Sequence, residues 1–390
     1  MPIKYRWLAF IISLLLVSLA GIGYFGLKTW QSISVIPRLP TPLPNITPTP
    51  TPDPNQPFSI LMLGYGGYYG NTKQMHDGGL LTDSMMLVSI NPKKQLINLI
   101  SIPRDLWVPL PIGNGTTLMS KINAAYADGS DDKTYPNKPV QYTGPAGGGQ
   151  MAKDVVAQIV GQPVDYFVAI DFSGFQKVID DLGDISVPVA KTLDDPFYPI
   201  EEKTKDTCGK SDAEVAALTA TMSGDKLEQQ FTCRYEHLHF DPGLQQMDGV
   251  TALKYARSRH GLLDGGDFNR AARQRIVVEA VKKKIMTIGF IPKIIPTIQT
   301  LSKHIQTDID LATMEKLITK ANLYNQFTIT QTALTDTNVL KDSTSTDGQF
   351  ILIPRVGIGN WQEIQQYITA PDSVISPTPT LTPRPTRKPL

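Results

Sequence analysis

Residues 84–102 read SMMLVSINPKKQLINLISI. Two runs that are apolar at nearly every position flank Asn91-Pro92, a pattern typical of an antiparallel hairpin whose strands are covered on both faces. Working outward, FSILMLG at 58–64, DYFVAID at 165–171 and ISVPV at 185–189 favour further strands, whereas residues 118–127, 149–160 and 172–182 favour helices. This alternation predicts an α/β fold: a three-layer sandwich with a central mixed β-sheet flanked by helices.

A second stretch, residues 253–275, is rich in arginine and reads LKYARSRHGLLDGGDFNRAARQR. The glycines at 261, 265 and 266 indicate that one helix ends near Tyr255, so that Arg257 and Arg259 lie on a loop. A new helix starting at Asp267, a possible N-cap, places Arg270, Arg273 and Gln274 on one face. Forked donors on a loop and on the first turns of a helix favour phosphate or pyrophosphate. The alternative is a solvated basic face paired with Asp264 and Asp267.

Polar residues gather where the predicted strands begin and end. Asp77 and Asp83 precede the second strand, and Arg104 and Asp105 follow the third. Because ligands of open α/β sheets bind outside strand ends, we expect these residues to converge with the arginine-rich stretch. The two aspartates offer the oxygen ligands that Mg²⁺ prefers. Alternatively, Asp83 caps a turn and residues 76–79 form an ordinary loop.

The two ends of the chain differ from its middle. Residues 1–6 carry Lys4 and Arg6, and the apolar run 7–27 is long enough to cross a bilayer, which predicts a cytoplasmic N-terminus, a single-pass anchor and an extracytoplasmic body in the cell membrane. A cleaved signal peptide is the alternative, since Ser18-Leu19-Ala20 resembles a cleavage site. Residues 28–57 form a Pro/Thr-rich linker, and residues 371–390 a Pro/Thr-rich tail. The remainder, 58–370, is the expected folded domain.

Composition and cysteines narrow the function further. With Lys+Arg 37 and Asp+Glu 36, no bulk charge draws the chain to nucleic acid, and an exported domain has no access to the chromosome. The two cysteines, Cys208 and Cys233, favour a disulfide in an exported protein. Together with His237 and His239 they also allow a structural metal site.

Five segments occur in the order and spacing of one known family: LTDSMMLVSINP, ISIPRDLWV, KINAAYADG, VDYFVAIDFSGFQKVIDDLG and MDGVTALKYARSRHGLLDGGDFNRAARQR. In these segments the chain resembles the LytR-CpsA-Psr family. The resemblance covers roughly residues 58–285 as the core, and residues 286–370 resemble the family's C-terminal extension of the same catalytic domain.

The resemblance implies a Mg²⁺-dependent phosphotransferase that moves a glycopolymer from an undecaprenyl-pyrophosphate carrier to peptidoglycan through a phosphodiester bond. In the family's pattern Asp83 is a Mg²⁺ ligand. The catalytic positions it implies are Arg104, Asp105, Arg257, Arg259 and Asp267. The pyrophosphate-binding positions it implies are Arg104, Lys121, Arg257, Arg259, Arg270 and Gln274. Asp105 or Asp267 would serve as general base.

The chain departs from the family pattern after the first strand. Gly64-Tyr65-Gly66 stands where many members have Gly-x-Asp, and Leu81-Thr82 stands where they have an arginine. We therefore take Asp77 as the substitute second carboxylate. Apolar helices near 172–179 and 276–288 would line a slot for the lipid, or belong to the core. The same residues would also serve a polyprenyl-pyrophosphate phosphatase or pyrophosphatase, or a non-catalytic protein that binds anionic lipid or wall polymer.

Overall fold

A computed structural model describes residues 55–67, 79–113, 115–287, 301–324 and 326–370. All of these lie in one compact unit, Thr49–Leu390. The predicted anchor 7–27, Asp77, most of the linker and the tail fall outside the described residues. Within the described part of the chain, every helix is too short or too polar to span a membrane.

The first half of the described chain alternates strands with helices. In chain order its elements are β1 (Phe58–Tyr65), β2 (Thr82–Asn91), β3 (Leu96–Ser101), β4 (Trp107–Pro111), β5 (Thr117–Lys121), α1 (Ala124–Ser130), α2 (Gly147–Val160), β6 (Tyr166–Asp171), α3 (Phe172–Leu182), β7 (Ile185–Val189) and β8 (Leu193–Pro199). The predicted hairpin around Asn91-Pro92 is confirmed, since β2 and β3 pair from Asn91 opposite Leu96 to Met86 opposite Ser101.

The second half begins with helices outside the sheet. Its elements are α4 (Asp212–Thr221), α5 (Asp225–Glu228), β9 (Tyr235–Phe240), β10 (Gly243–Met247), α6 (Gly249–Arg257), α7 (Asp267–Thr287), β11 (Ile305–Thr307), α8 (Leu311–Thr319), α9 (Ala321–Tyr324), β12 (Thr328–Ala333), β13 (Leu340–Thr344), β14 (Phe350–Pro354) and α10 (Gln362–Thr369).

The central sheet has six strands in the order β11-β6-β1-β2-β3-β12. β1 runs parallel to β6 and antiparallel to β2, so the sheet is mixed as predicted. Both edge strands come from beyond residue 285. The segment that resembles the family's C-terminal extension therefore completes the central sheet.

Alternate residues of the strands face two separate apolar layers. Leu61 and Leu63 of β1 belong to a cluster with α2, while Phe58 belongs to a second cluster that Val278 of α7 and Leu317 of α8 cover. Side chains alternate across a strand, so a sheet buried on both faces needs apolar residues at every position. The three-layer sandwich is thus confirmed, and the apolar strands are its cause.

One predicted helix is partly wrong. The sequence predicts a helix over residues 118–127, but Thr117–Lys121 forms β5 and helix begins only at Ala124. β5 pairs with β4, and the fully buried Val108 and Leu110 anchor that hairpin in the core. Tertiary pairing therefore overrides a local helical pattern.

Candidate functional site

The strand ends meet at one edge of the central sheet, as predicted. β1, β3, β6 and β12 run in one direction and end there, while the antiparallel β2 begins there. Gly64 of β1 lies opposite Ser84 of β2 and Ile170 of β6, which brings Asp83 and Asp171 to the same edge.

A cavity of about 430 Å³ opens at this edge. Its walls are apolar and include Met62, Val168, Ile170, Phe172, Phe175, Leu253, Val277 and Val278. Its charged and polar lining includes Asp83, Asp171, Asp195, Glu228, Arg257, Arg259, His260, Arg270 and Gln274. A space with an apolar wall and three arginines suits an amphiphile with an anionic head.

The paired arginines both line this cavity. Helix α6 extends to Arg257, two residues beyond the predicted end, and the extended backbone of Ser258 then carries the chain to Arg259. The guanidinium carbon of Arg257 lies 3.9 Å from the centroid of the Phe172 ring. This contact holds the planar guanidinium against the Phe172 ring.

The next helix adds two further donors. Arg270 and Gln274 are one turn apart on α7 and both line the cavity. Arg270 is buried, and its Nη2 donates to the backbone carbonyl of Asp83 at 3.3 Å. Asp267 is the first residue of α7. For Asp267 itself, the structure describes only the backbone.

Arg273, predicted on the same face as Arg270, has a different role. Its side chain is buried away from the cavity, with Nε 3.0 Å from the Tyr255 carbonyl and Nη1 2.9 Å from Oδ2 of Asp264. It also donates to the carbonyl of Ser258. Arg273 thus ties the end of α6 and the following loop to α7, and the idea that it grips the anion is wrong.

Arg104 reaches the site through Asp83. Its Nη1 lies 2.6 Å from Oδ1 of Asp83, and it borders a small cavity that Asp83 and Arg270 also line. Behind it, Asp105 is buried, 3.8 Å from Nε of Arg104 and 2.7 Å from Nζ of Lys121. Neither Asp105 nor Lys121 is among the described residues that line these two cavities, and Asp105 contacts both Arg104 and Lys121.

The cavity offers Mg²⁺ one suitable carboxylate among the described residues, that of Asp83. Asp83 lines the cavity with its side chain about a third exposed. Asp171 also lines the cavity, but its carboxylate accepts from the Gly174 amide at 2.7 Å and lies 2.9 Å from Nδ1 of His304. A single carboxylate, completed by substrate phosphates and water, is a usual Mg²⁺ environment.

Sequence reasoning missed Asp195. It is 1% exposed, and its Oδ2 accepts from the Ser258 hydroxyl at 2.6 Å and from the His260 amide at 3.2 Å. These two groups flank Arg259, so the buried carboxylate holds the backbone that carries this arginine. Two consecutive acidic residues within the strand-like run LDDPFYP were the available signal.

A disulfide-linked segment forms part of the cavity wall. Cys208 and Cys233 are bonded, with their Cα atoms 5.7 Å apart, so the metal site that would use both thiols is not formed. Glu228 lies between them and Tyr235 follows, and both line the cavity. Burial, reinforced by the Glu228 charge, raises the pKa of Tyr235, which keeps this phenol protonated as a donor.

The sequence matches one protein family and several known relatives. The sequence model of the LytR_cpsA_psr family matches residues 41–352. "Biofilm regulatory protein A" of Streptococcus mutans is 30% identical over 67% of this chain and 53% of its own length. The polyisoprenyl-teichoic acid--peptidoglycan teichoic acid transferase TagV of Bacillus subtilis is 26% identical over 79% of this chain and 64% of its own. The chain thus spans about half to two thirds of these relatives.

Solved structures share the fold. The crystal structure of TagV from B. subtilis superposes with a TM-score of 0.52 at 25% identity, covering 81% of this chain and 96% of that one. The gbs0355 protein of Streptococcus agalactiae gives a TM-score of 0.54 at 25% identity, covering 80% of this chain and 87% of its own.

Proposed function

Because the chain belongs to the LytR_cpsA_psr family, we propose that it transfers a glycopolymer from an undecaprenyl-pyrophosphate carrier to peptidoglycan through a phosphodiester bond. The observation that carries this proposal is the cavity whose apolar walls lead to Arg257, Arg259 and Arg270. A polyprenyl pyrophosphate needs both an apolar slot and concentrated positive charge. The relatives named as teichoic acid transferases support the reaction class.

The arginines would stabilise charge rather than perform covalent chemistry. Attack of a sugar hydroxyl on the phosphorus linked to the glycan forms the new phosphodiester and releases the lipid phosphate, so negative charge grows on the phosphoryl and leaving oxygens. Arg257, Arg259 and Arg270 line the space that these oxygens would occupy. Forked, fixed donors at such positions lower the barrier without reorganising during the reaction.

Asp83 would hold Mg²⁺, which when bound supplies further positive charge to the phosphate oxygens. Arg104, 2.6 Å from Asp83, would orient this carboxylate, and Gln274 would donate to the phosphate from α7. Asp105 and Lys121 would position Arg104. Asp267, at the start of α7, is the candidate general base, and Asp77 is the candidate second metal ligand.

The cellular setting is part of the proposal. Residues 7–27 would anchor the protein in the cell membrane with residues 1–6 in the cytoplasm, and the linker 28–57 would carry the catalytic domain 58–370 on the outer side. This arrangement would place the cavity where carrier-linked glycopolymer and peptidoglycan meet. The apolar wall formed by Phe172, Phe175 and Val277 would receive the lipid.

The test is a transfer assay with the full chain in detergent. A radiolabelled undecaprenyl-pyrophosphate glycan is incubated with peptidoglycan fragments, with and without Mg²⁺. We expect label to move onto peptidoglycan only with Mg²⁺, and Arg257→Ala and Asp83→Ala to lower the rate at least roughly a hundredfold. Arg355→Ala, which removes a surface arginine paired with Glu363, is the matched control.

Other outcomes would assign other functions. Release of phosphate without transfer would make the protein a polyprenyl-pyrophosphate phosphatase or pyrophosphatase. Tight binding of the lipid without any product would make it a non-catalytic binder. Equal activity of Arg257→Ala and Arg355→Ala would show that the cavity is not the site of the reaction.

A further inference from the structure

Three potential metal ligands converge outside the cavity, on the hairpin of β8 and β9. Asp194 of β8 lies directly opposite His239 of β9, and His237 is two residues away on the same face of that strand. Nε2 of His237 is 2.7 Å, and Nδ1 of His239 3.0 Å, from the same oxygen, Oδ1 of Asp194. All three ligating atoms lie within 4.8 Å of one another.

These separations match the demands of a small divalent cation. Zn²⁺ binds imidazole nitrogen and carboxylate oxygen at about 2.0–2.2 Å in a tetrahedron, so neighbouring ligand atoms are about 3.3 Å apart. To admit the ion, the His239–Asp194 distance of 3.0 Å needs to widen by about 0.3 Å and the His237–Asp194 distance of 2.7 Å by about 0.6 Å. Two imidazoles and one carboxylate favour zinc, nickel or copper over Mg²⁺ or Ca²⁺.

The carboxylate beside Nε2 of His239 also supports a metal site at this cluster. Nε2 of His239 is 3.2 Å from Oδ1 of Asp241, a second carboxylate that does not contact Asp194. When an ion replaces the proton on the ring nitrogen that faces Asp194, a carboxylate that accepts from the other ring nitrogen keeps the remaining proton there and fixes the tautomer that binds metal. In His239 the metal-binding nitrogen is Nδ1, the atom facing Asp194.

The cluster is open to solvent and is joined to the arginine segment. The side chains of His237 and His239 are 60% and 49% exposed, so an ion and a water molecule as fourth ligand have access. The backbone carbonyl of Asp194 accepts from the amide of Leu262 at 2.9 Å. An ion here would therefore brace the hairpin beside the loop that follows Arg259.

We infer that Asp194, His237 and His239 form a binding site for a transition-metal dication of the Zn²⁺ class, with Asp241 orienting His239. The site is separate from Asp83 and needs neither thiol. It clamps β8 to β9 and stabilises the folded domain independently of the reaction at the cavity.

The experiment uses the full chain without a histidine tag, stripped with chelator and kept in excess Mg²⁺. Calorimetric titration with ZnCl₂ should give one saturable site per chain, and Co²⁺ should give the visible absorption of a four-coordinate ion. We expect His237→Ala and His239→Ala each to weaken Zn²⁺ binding at least roughly tenfold, and Asp241→Asn to weaken it about 10–100-fold. His260→Ala, near the single carboxylate of Glu228, should leave the affinity unchanged.

Three results would overturn the proposed metal site. Binding within about twofold of the parent protein in all three cluster variants overturns it, as does loss of the Zn²⁺ signal in Asp83→Ala. Absence of saturable Zn²⁺ binding overturns it as well. Because Asp241→Asn changes only an exposed carboxylate, the result does not depend on the tolerance of the fold for histidine replacement.

Discussion

Replacement of Asp195 by asparagine tests how the arginine loop is held. The carboxylate is 1% exposed and only accepts: Oδ1 from the Phe197 amide at 3.0 Å, Oδ2 from Ser258 and His260. Asparagine has the same shape but one accepting oxygen and one donating nitrogen. In either orientation of the amide, its NH₂ group faces at least one backbone N–H, so one of the three hydrogen bonds is lost.

The magnitude follows from that single loss. A hydrogen bond to a charged acceptor contributes about 1.5–3 kcal/mol, and a buried donor left without an acceptor keeps its full desolvation cost. We therefore expect Asp195→Asn to lower the free energy of unfolding by about 2 kcal/mol. In a domain of this size, with an entropy of unfolding of about 2.1 cal/mol/K per residue, that corresponds to a decrease in Tm of roughly 3 °C.

Thermal unfolding followed by far-UV circular dichroism measures this difference. The matched control is Asp194→Asn, one residue earlier in the same strand, whose side-chain hydrogen bonds are exposed to water; all variants are measured in excess chelator, so that no metal at Asp194 contributes. Surface pairs contribute little, so this control should lose much less stability. If both variants have the same Tm, or if Asp195→Asn matches the parent protein, the carboxylate does not hold the loop as described.

Two further predictions concern a buried carboxyl group and a buried guanidinium. Burial, reinforced by Asp131, raises the pKa of Asp128 from 3.8 to about 6, so ionisation destabilises the folded state as the pH rises from about 4 to 6. Asp128→Asn should be more stable than the parent above pH 6, by about 2 kcal/mol at most, and equal to it below pH 4, as urea unfolding at each pH measures. Arg273→Met leaves the Asp264 carboxylate and three backbone carbonyls without their donor and should cost about 3–5 kcal/mol in the same assay.

Each of these two variants has a control that makes the same substitution at a more exposed position. Asp342→Asn removes an exposed carboxylate and should show no such dependence on pH. A constant difference between Asp128→Asn and the parent across the range would contradict the assigned pKa. Arg355→Met breaks an ion pair whose arginine is about half exposed, and should cost less than Arg273→Met. Equal losses from Arg273→Met and Arg355→Met would show that the buried arginine is not structural.

Helices and strands whose limits follow from the local sequence were predicted correctly. The hairpin around Asn91-Pro92, the helix that begins at Phe172 and the strand that begins at Ile185 follow directly from apolar periodicity and turn residues. The convergence of Asp83 with Arg257, Arg259 and Arg270 also followed, because strand ends in an α/β sheet meet at one edge.

What the sequence could not supply depends on contacts between distant segments. β12 joins the sheet beside β3, more than two hundred residues earlier, and its TITQTA sequence has no strong apolar pattern. Arg270 and Arg273 are both buried arginines on one helix, yet one lines the cavity and the other binds carbonyls of α6 and its loop. Helical spacing gives an approximate face, and only packing decides which arginine meets the ligand.

The disulfide-linked segment leaves and re-enters the fold at adjacent points. Pro199 and Tyr235 are paired across β8 and β9, so the two ends of the segment between them meet at one pair of the ladder. A change of length or composition there need not disturb the register of either strand or the central sheet. One wall of the cavity can therefore diverge, or be exchanged between homologous proteins as a cassette, while the arginines opposite it keep their places.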